Sequence, residues 1–273
     1  MNILVTGGAG YIGSVCVQQL LNGGFNVVVV DNLSEGHRDA VDERAIFVKA
    51  NIEDSDAIGA VFKKHSIDAI MHFAALALVG ESMEQPGRYF KNNVYGALNL
   101  LETGRIAGIK KFIFSSTCAT YGMPERVPIT EDLPQNPLNP YGESKLMFEK
   151  ILSWYNKIYG LEFVAFRYFN AAGATEKFGE DHKKETHLIP NVLKVVLGKK
   201  EVCEIYGTDY PTPDGTCIRD YIHIYDLVTA HIAALKPGIV GFYNLGNGDG
   251  YSVKEVIKMC EKVTGKKIPV IER

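Results

Sequence analysis

Along the first 170 residues the hydrophobic pattern switches repeatedly between two periods. Short apolar runs rich in β-branched residues, at Asn2–Thr6, Phe25–Val30, Ala45–Val48, Ile67–Phe73, Lys111–Ser115 and Glu162–Arg167, read as buried strands. Between them Tyr11–Leu21, Asp56–His65, Arg88–Gly104 and Tyr141–Tyr159 place apolar residues at helical spacing. In Arg88–Gly104 the stripe is Tyr89, Val94, Leu98 and Leu101. Repeated strand–helix units of this length specify an α/β fold, a doubly wound parallel sheet with right-handed crossovers. Ligands of such sheets lie beyond the carboxyl ends of the strands. That makes Gly7–Gly13, Asp31, Phe73–Leu76 and Ser115–Thr117 the positions to watch.

Residues 123–140 are rich in Pro, Asn and Glu and read as a surface loop delivering Tyr141 into its helix. After Ala171 the alternation breaks down. Thr175–Thr186 is polar and loop-like, Leu188–Leu197 reads as a helix, Val202–Ile205 as a strand, and Tyr221–Leu235 as a helix returning to the sheet. The expected division is a large unit over 1–172, rejoined by 218–241, and a smaller C-terminal unit from 173–217 and 242–273. Gly80, Gly122 and Gly160 read as turn residues, Glu176–Glu185 as a solvated charged face, and Trp154 and Tyr155 as packing.

The first strand runs into a glycine turn and then a helix. Gly8, Gly10 and Gly13 satisfy G-x-G-x-x-G; Gly7, Gly10 and Gly13 satisfy G-x-x-G-x-x-G. Such a turn needs positive φ, close backbone approach to a pyrophosphate, and tight packing of helix on strand. Free N–H groups and the dipole at the helix start then hold phosphates. The second strand ends in Asp31, 18 positions after Gly13. A carboxylate there accepts from ribose hydroxyls and repels a 2′-phosphate, so NAD is expected over NADP in a Rossmann-type unit.

Composition narrows the classes. The chain has 273 residues, 46% hydrophobic and 22% charged, ordinary values for a globular protein. A net charge of −3 makes no electrostatic case for nucleic acid or an anionic membrane. The apolar runs are strand-sized, so no membrane span is expected. The chain opens on a core strand, which suggests no signal peptide. Five scattered cysteines without a C-x-x-C pair suggest free thiols and a cytoplasmic setting. His72, inside an apolar strand, reads as a core histidine. His182, His187 and His223 lack the usual metal-ligand spacing, so no metal is expected.

Tyr141 and Lys145 are four apart at a helix start and share one face. A tyrosine ionises near pH ~10 and is a poor base at neutrality. An ammonium one turn away, and an oxidised cationic nicotinamide, would favour the phenolate and make the pair a proton-transfer device. A hydroxyl at a neighbouring strand end completes such a set, and Thr117 is the candidate.

TGGAGYIG, Asp31-Asn32-Leu33, HFAAL, FSST, NPYGESK and RYFNAAGA together resemble the extended short-chain dehydrogenase/reductases. GTDYPTPDGTCIRDYIH, Gly207–His223, resembles the UDP-galactose 4-epimerases within them. The resemblance spans essentially the whole chain. It implies NAD, held at the pyrophosphate by Gly7, Gly10, Tyr11, Ile12 and Gly13. At the adenosine it implies Asp31, Asn32, Leu33, Ser34, Gly36, Asn51 and Ile52. Phe73, Ala74, Ala75, Leu76, Ala77, Asn92, Ser115 and Phe169 would line the remainder of the cofactor, beside Tyr141 and Lys145. Tyr141, Lys145 and Thr117 would be catalytic. Thr117, Tyr141, Asn170, His187, Leu188, Glu204, Ile205, Tyr206 and Arg219 fall where the family holds the UDP-sugar. An Arg suits a diphosphate and an aromatic suits a flat base. A homodimer built on the helices at Arg88–Gly104 and Tyr141–Tyr159 is a further implication.

The resemblance also has departures. Asn51 stands where Asp is commoner, Ala77 where many members have Lys, Thr117 where Ser is usual and His187 where some have Asn. Family members continue past the position of Arg273, so a C-terminally short form is expected. The implied activity is the interconversion of UDP-galactose and UDP-glucose through transient oxidation at sugar C4. A nucleotide-sugar 4,6-dehydratase would need an acidic pair beside Thr117, where this chain has Cys118-Ala119. An inactive NAD-binding module would need the cradle but not Tyr141 and Lys145.

Overall fold

The computed structural model describes residues 1–273. Its elements run β1 (Asn2–Thr6), α1 (Tyr11–Asn22), β2 (Asn26–Asp31), β3 (Ile46–Lys49), α2 (Ser55–Lys64), β4 (Ala69–His72), α3 (Val79–Glu84), α4 (Pro86–Phe90), α5 (Ala97–Ile106), β5 (Lys111–Thr117), α6 (Pro140–Tyr159) and β6 (Glu162–Tyr168). There follow β7 (Asn170–Ala172), α7 (Leu188–Val196), β8 (Cys203–Ile205), β9 (Ile218–Arg219), β10 (Tyr221–His223), α8 (Ile224–Ala233), β11 (Gly241–Leu245), β12 (Tyr251–Ser252), α9 (Val253–Thr264) and β13 (Val270–Glu272).

Seven strands form one sheet in the order β11-β6-β5-β4-β1-β2-β3, with every neighbouring pair parallel. The two-residue period of a strand sends alternate side chains to opposite layers. Ile3, Val5, Val27 and Val29 pack with Val15, Cys16 and Leu20 of α1 and Leu227 and Val228 of α8. Leu4, Val28 and Val30 pack on the other face with Ile58 of α2, Leu100 and Leu101 of α5, and Phe148 and Leu152 of α6. Strand order reverses between β1 and β4. The crevice beyond their carboxyl ends is where a doubly wound sheet takes its ligand.

The small unit has its own core of Val192, Cys203, Ile205, Ile257 and Ile268, under α7, α9 and the parallel pair β8–β13. The expected boundary at 242 falls inside β11, which pairs with β6 in the main sheet. Gly241–Leu245 therefore belongs to the large unit; Phe242 packs on Phe163 there. Tyr221–Leu235 is not one helix. Its first three residues pair with β7, and His223 then caps α8.

The expected helix Arg88–Gly104 is interrupted. Lys91–Gly96 forms a π-helical turn between α4 and α5. The wider turn shifts the buried face, which runs through Tyr89, Asn93, Gly96, Ala97, Leu100 and Leu101. Val94 and Leu98, expected on the buried stripe, instead border an apolar surface depression with Phe90, Tyr95 and Met147. Gly80 lies inside α3 rather than in a turn. Trp154 is exposed rather than packed. Glu176–Glu185 is not simply a solvated face, because the side chains of Glu180 and Glu185 are largely buried.

Candidate active site

Gly7 ends β1 at the switch point with φ +75°, and a Cβ there would lie 2.5 Å from the Ala74 amide nitrogen. A Cβ on Gly13 would lie 2.1 Å from the Gly7 carbonyl oxygen. The bare backbone lets α1 start against β1, and Gly10 caps the helix without a side-chain acceptor. The first N–H groups of α1 face the crevice free of a side-chain cap, as phosphate binding requires. This is the fit expected of a dinucleotide cradle.

The crevice is a cleft of about 930 Å³. It is lined by Gly7, Gly10, Tyr11, Ile12, Gly13, Asp31, Asn32, Ser34, Gly36, Ile52, Phe73, Ala74, Ala75, Leu76, Ala77, Asn92, Ser115, Thr117, Tyr141, Lys145, Phe169, Asn170 and His187. Asp31 accepts from the amides of Ala9 (3.0 Å) and Leu33 (2.8 Å), so it also shapes the loop after β2. Gly36 packs against Ala9, where a Cβ would lie 2.7 Å from the Ala9 carbonyl carbon. Leu33 and Asn51 do not line the cleft. Leu33 has φ 61°, and Asn51 accepts from Asn32 Nδ2 at 2.6 Å.

At the other end, Asn139 caps α6 through the Gly142 amide, and Tyr141 and Lys145 occupy its first turns. Lys145 Nζ donates to the Ser115 carbonyl oxygen at 2.7 Å and lies 5.9 Å from the centre of the Tyr141 ring. Ser115 Oγ pairs with the Tyr168 hydroxyl. Burial pushes the Tyr141 hydroxyl up to about 12, with the Thr117 hydroxyl pulling it partly back. Burial pushes Lys145 down to about 7. Burial thus favours the neutral phenol of Tyr141 and the neutral amine of Lys145, so the expected phenolate rests on the cationic nicotinamide as well as on Lys145.

Residues 3–246 match the NAD dependent epimerase/dehydratase family. The chain belongs to this family. It is 53% identical to the UDP-glucose 4-epimerase of Lacticaseibacillus casei, over 98% of this chain and 83% of the relative. Among solved structures, the UDP-glucose 4-epimerase of Brucella ovis in complex with NAD superimposes with a TM-score of 0.96 at 47% identity, covering 100% of this chain and 85% of that one. The UDP-glucose 4-epimerase of Bifidobacterium longum, in complex with NAD+ and UDP, gives 0.95 at 41% identity, covering 100% and 86%.

Leu188, Glu204, Ile205, Tyr206 and Arg219, also implied by family resemblance, are not among the residues lining the cleft. Leu188 begins α7. Ile205 is buried in the small core, so only its backbone is available to a ligand. Glu204 pairs with Lys200 and Arg273; Tyr206 and Arg219 are exposed. Two features were missed in the sequence. Asn93, on the π-helical turn, clasps Leu76 by both its N–H (2.9 Å) and its C=O (3.0 Å) and donates to Ser144 Oγ. It ties the loop after β4 to α6. Glu149 of α6 accepts from Arg167 (2.7 Å), Ser116 and Gln135, while Arg167 donates to the Tyr121 hydroxyl at 2.8 Å. This buried network fixes the helix that carries Tyr141. An Asn inside a helical stripe and a Glu one turn beyond Lys145 were the available signals.

Proposed function

We propose that the chain interconverts UDP-galactose and UDP-glucose, an NAD-dependent isomerisation at sugar C4, with Tyr141 exchanging the proton. The single observation that carries the reading is that Tyr141, Thr117 and Lys145 share one cleft with the glycine cradle. NAD, when bound, takes up and later returns the C4 hydrogen with its electron pair. The residues of the chain do the rest. Gly7, Gly10 and Gly13 admit the pyrophosphate, and Asp31 meets the adenosine ribose. Thr117 Oγ1 orients the C4 hydroxyl. Tyr141 Oη receives that proton and gives it back after the ketone has presented its other face. Lys145, anchored on the Ser115 carbonyl, places its amino group beside the phenol. With NAD held in the cleft, the nicotinamide cation would add to the stabilisation of the Tyr141 phenolate. Phe169, which lines the cleft, would abut the nicotinamide.

On this reading Asn170, His187, Leu188, Glu204, Ile205, Tyr206 and Arg219 hold the UDP-sugar between the two units. Asn170 and His187 already border the cleft. Glu204 lies on β8 of the small unit, and Arg219 on β9, which pairs with β12. A homodimer and a cytoplasmic setting complete the proposal. Supporting the dimer, Tyr95, Met147, Trp154 and Ile158 lie exposed along α6 and the π-helical turn. Supporting the cytoplasm, all five cysteines are free. No helix is long and apolar enough to cross a membrane.

The test is to incubate the purified protein with UDP-galactose and no added NAD. UDP-glucose is the expected product. A 4-keto-6-deoxy sugar would point to a dehydratase, and no conversion by NAD-loaded protein would point to a binding module.

A further inference from the structure

The segment between β7 and α7 folds back on itself and brings Glu180, His182, Glu185 and His187 together. One ligand atom from each lies within 4.8 Å of all the others. His187 Nδ1 is 2.8 Å from Glu180 Oε1 and 2.9 Å from Glu185 Oε1; His182 Nδ1 is 3.3 Å from Glu180 Oε1 and 3.5 Å from Glu185 Oε2. In a tetrahedral zinc site with nitrogen and oxygen ligands, bonds of about 2.0–2.1 Å put the donor atoms about 3.3 Å apart. The four His–Glu separations, counted to either Glu185 oxygen, lie around that edge, and the four donors as a set lie within 4.8 Å of one another.

Two further observations point to a cation. The His182 Nδ1 atom is buried in the cluster, and its contact with Glu180 Oε1 at 3.3 Å does not have hydrogen-bond geometry. The Glu180 and Glu185 side chains are only 10% and 2% exposed, and neither has a lysine or arginine partner. Two buried carboxylates need compensating positive charge. Either both imidazoles carry protons, or one divalent ion supplies the charge.

We propose that Glu180, His182, Glu185 and His187 form a structural site for a divalent cation of the zinc class. Two neutral imidazoles and two carboxylates match the donor preference of zinc. Nδ1 of each histidine and one oxygen of each glutamate would close the coordination sphere, so the ion fastens rather than reacts, and Nε2 of His187 stays free for the UDP-sugar. What it fastens is the strap over one side of the cleft. Tyr11 donates to the Gly173 carbonyl at 2.6 Å, the His37 ring meets the Asp181 carbonyl at 3.0 Å, and Lys183 Nζ reaches the carbonyls of Leu33 and Ser34. The cluster locks the end of that strap to the start of α7. The absence of metal-ligand spacing, expected from the sequence, is overridden by this fold-back: the relevant pattern is Glu-x-His-x-x-Glu-x-His.

The experiment uses the full chain, with zinc or cobalt(II) as probe. After incubation and desalting, zinc measured by mass spectrometry is expected to be stoichiometric. Cobalt is expected to give the intense visible bands of a tetrahedral site without thiolate charge transfer. His182→Gln and Glu185→Gln are each expected to weaken zinc retention by more than about 100-fold. A chelator is expected to lower the wild-type melting temperature. Four outcomes would overturn the assignment: wild-type protein retaining no zinc, a thiolate band implicating a cysteine, unchanged retention in both variants, or a melting temperature indifferent to chelator. Should a variant fail to fold, the wild-type metal content and cobalt spectrum still decide.

Discussion

Lys145 directs its ammonium to the Ser115 carbonyl oxygen at 2.7 Å, at the end of β5, and not to the hydroxyl of Tyr141. The lysine therefore acts on the phenol through space, while being held by the sheet. In that setting Tyr141 sits at about 12 and Lys145 at about 7, both moved toward neutrality by burial. Loading NAD adds a cation where desolvation had won. The phenol absorbance that distinguishes wild type from Tyr141→Phe is expected to titrate at lower pH in the NAD-loaded protein than in the stripped one. An equal titration in both would remove the cofactor from the account.

Tyr141→Phe is expected to lose turnover by at least about 100-fold, the scale of general acid–base catalysis, while still carrying NAD. Turnover is followed by conversion of UDP-galactose, and NAD by absorbance after acid release. A variant that turns over normally would leave Tyr141 without its proposed role.

Lys145→Met separates charge from packing. The ammonium is disfavoured in the folded protein, so between about pH 7 and the ordinary lysine value the unfolded chain binds a proton that the folded chain does not. Stability of the stripped wild type should therefore rise with pH through that window, by up to about 1.4 kcal/mol per unit from this group. The Met variant should lack that component, as read from urea midpoints at neutral and alkaline pH.

Gly13→Ala puts a methyl into the Gly7 carbonyl. Overpacking of this kind costs about 1–3 kcal/mol. Here it also pushes α1 off the phosphate path. The purified variant is expected to contain no NAD and to melt lower, whereas Gly59→Ala, in open space on α2, should retain both.

Glu149 and Arg167 form a buried pair. Glu149→Ala strands the guanidinium and is expected to cost about 3–5 kcal/mol in denaturant unfolding. The double replacement Glu149→Leu with Arg167→Met should recover much of it. Activity of that double variant should stay low, because the network also orients the helix of Tyr141.

His72 and His231 are buried and held neutral, at about 3 and about 4, by desolvation. Below the ordinary histidine value the unfolded chain takes up protons there and the folded chain does not, so stability falls as pH drops from about 6.5 toward 4. His231 packs among Phe73, Phe166 and Tyr168, and its Nε2 has no partner. His231→Phe should reduce the acid slope by about one proton. An unchanged slope would mean that other groups carry it.

The strand–helix alternation gave away the large unit because its central strands are buried on both faces and its helices on one. Gly7–Gly13, Asp31 and Tyr141 were legible for a similar reason: a turn, a strand end and a helix start are local features. What escaped was non-local. Gly241–Leu245 has the composition of an edge and joins the sheet only by pairing with β6. Asn93 reaches Leu76 only because the π-helical turn aims it there. The meeting of Glu180 with His187 depends on a fold-back that no spacing rule describes. The neutrality of Tyr141 depends on burial, which the sequence does not state.

The irregular turn at Lys91–Gly96 sets two phases on one rod. Ahead of it, side-chain directions are tuned to the loop that Leu76 anchors; behind it, Leu100 and Leu101 are tuned to the sheet. Removing one residue there would let the coil close regularly but rotate one half against the other by about 100°. Either the clasp or the hydrophobic seam would be lost. Length in this stretch is therefore constrained more tightly than side-chain identity.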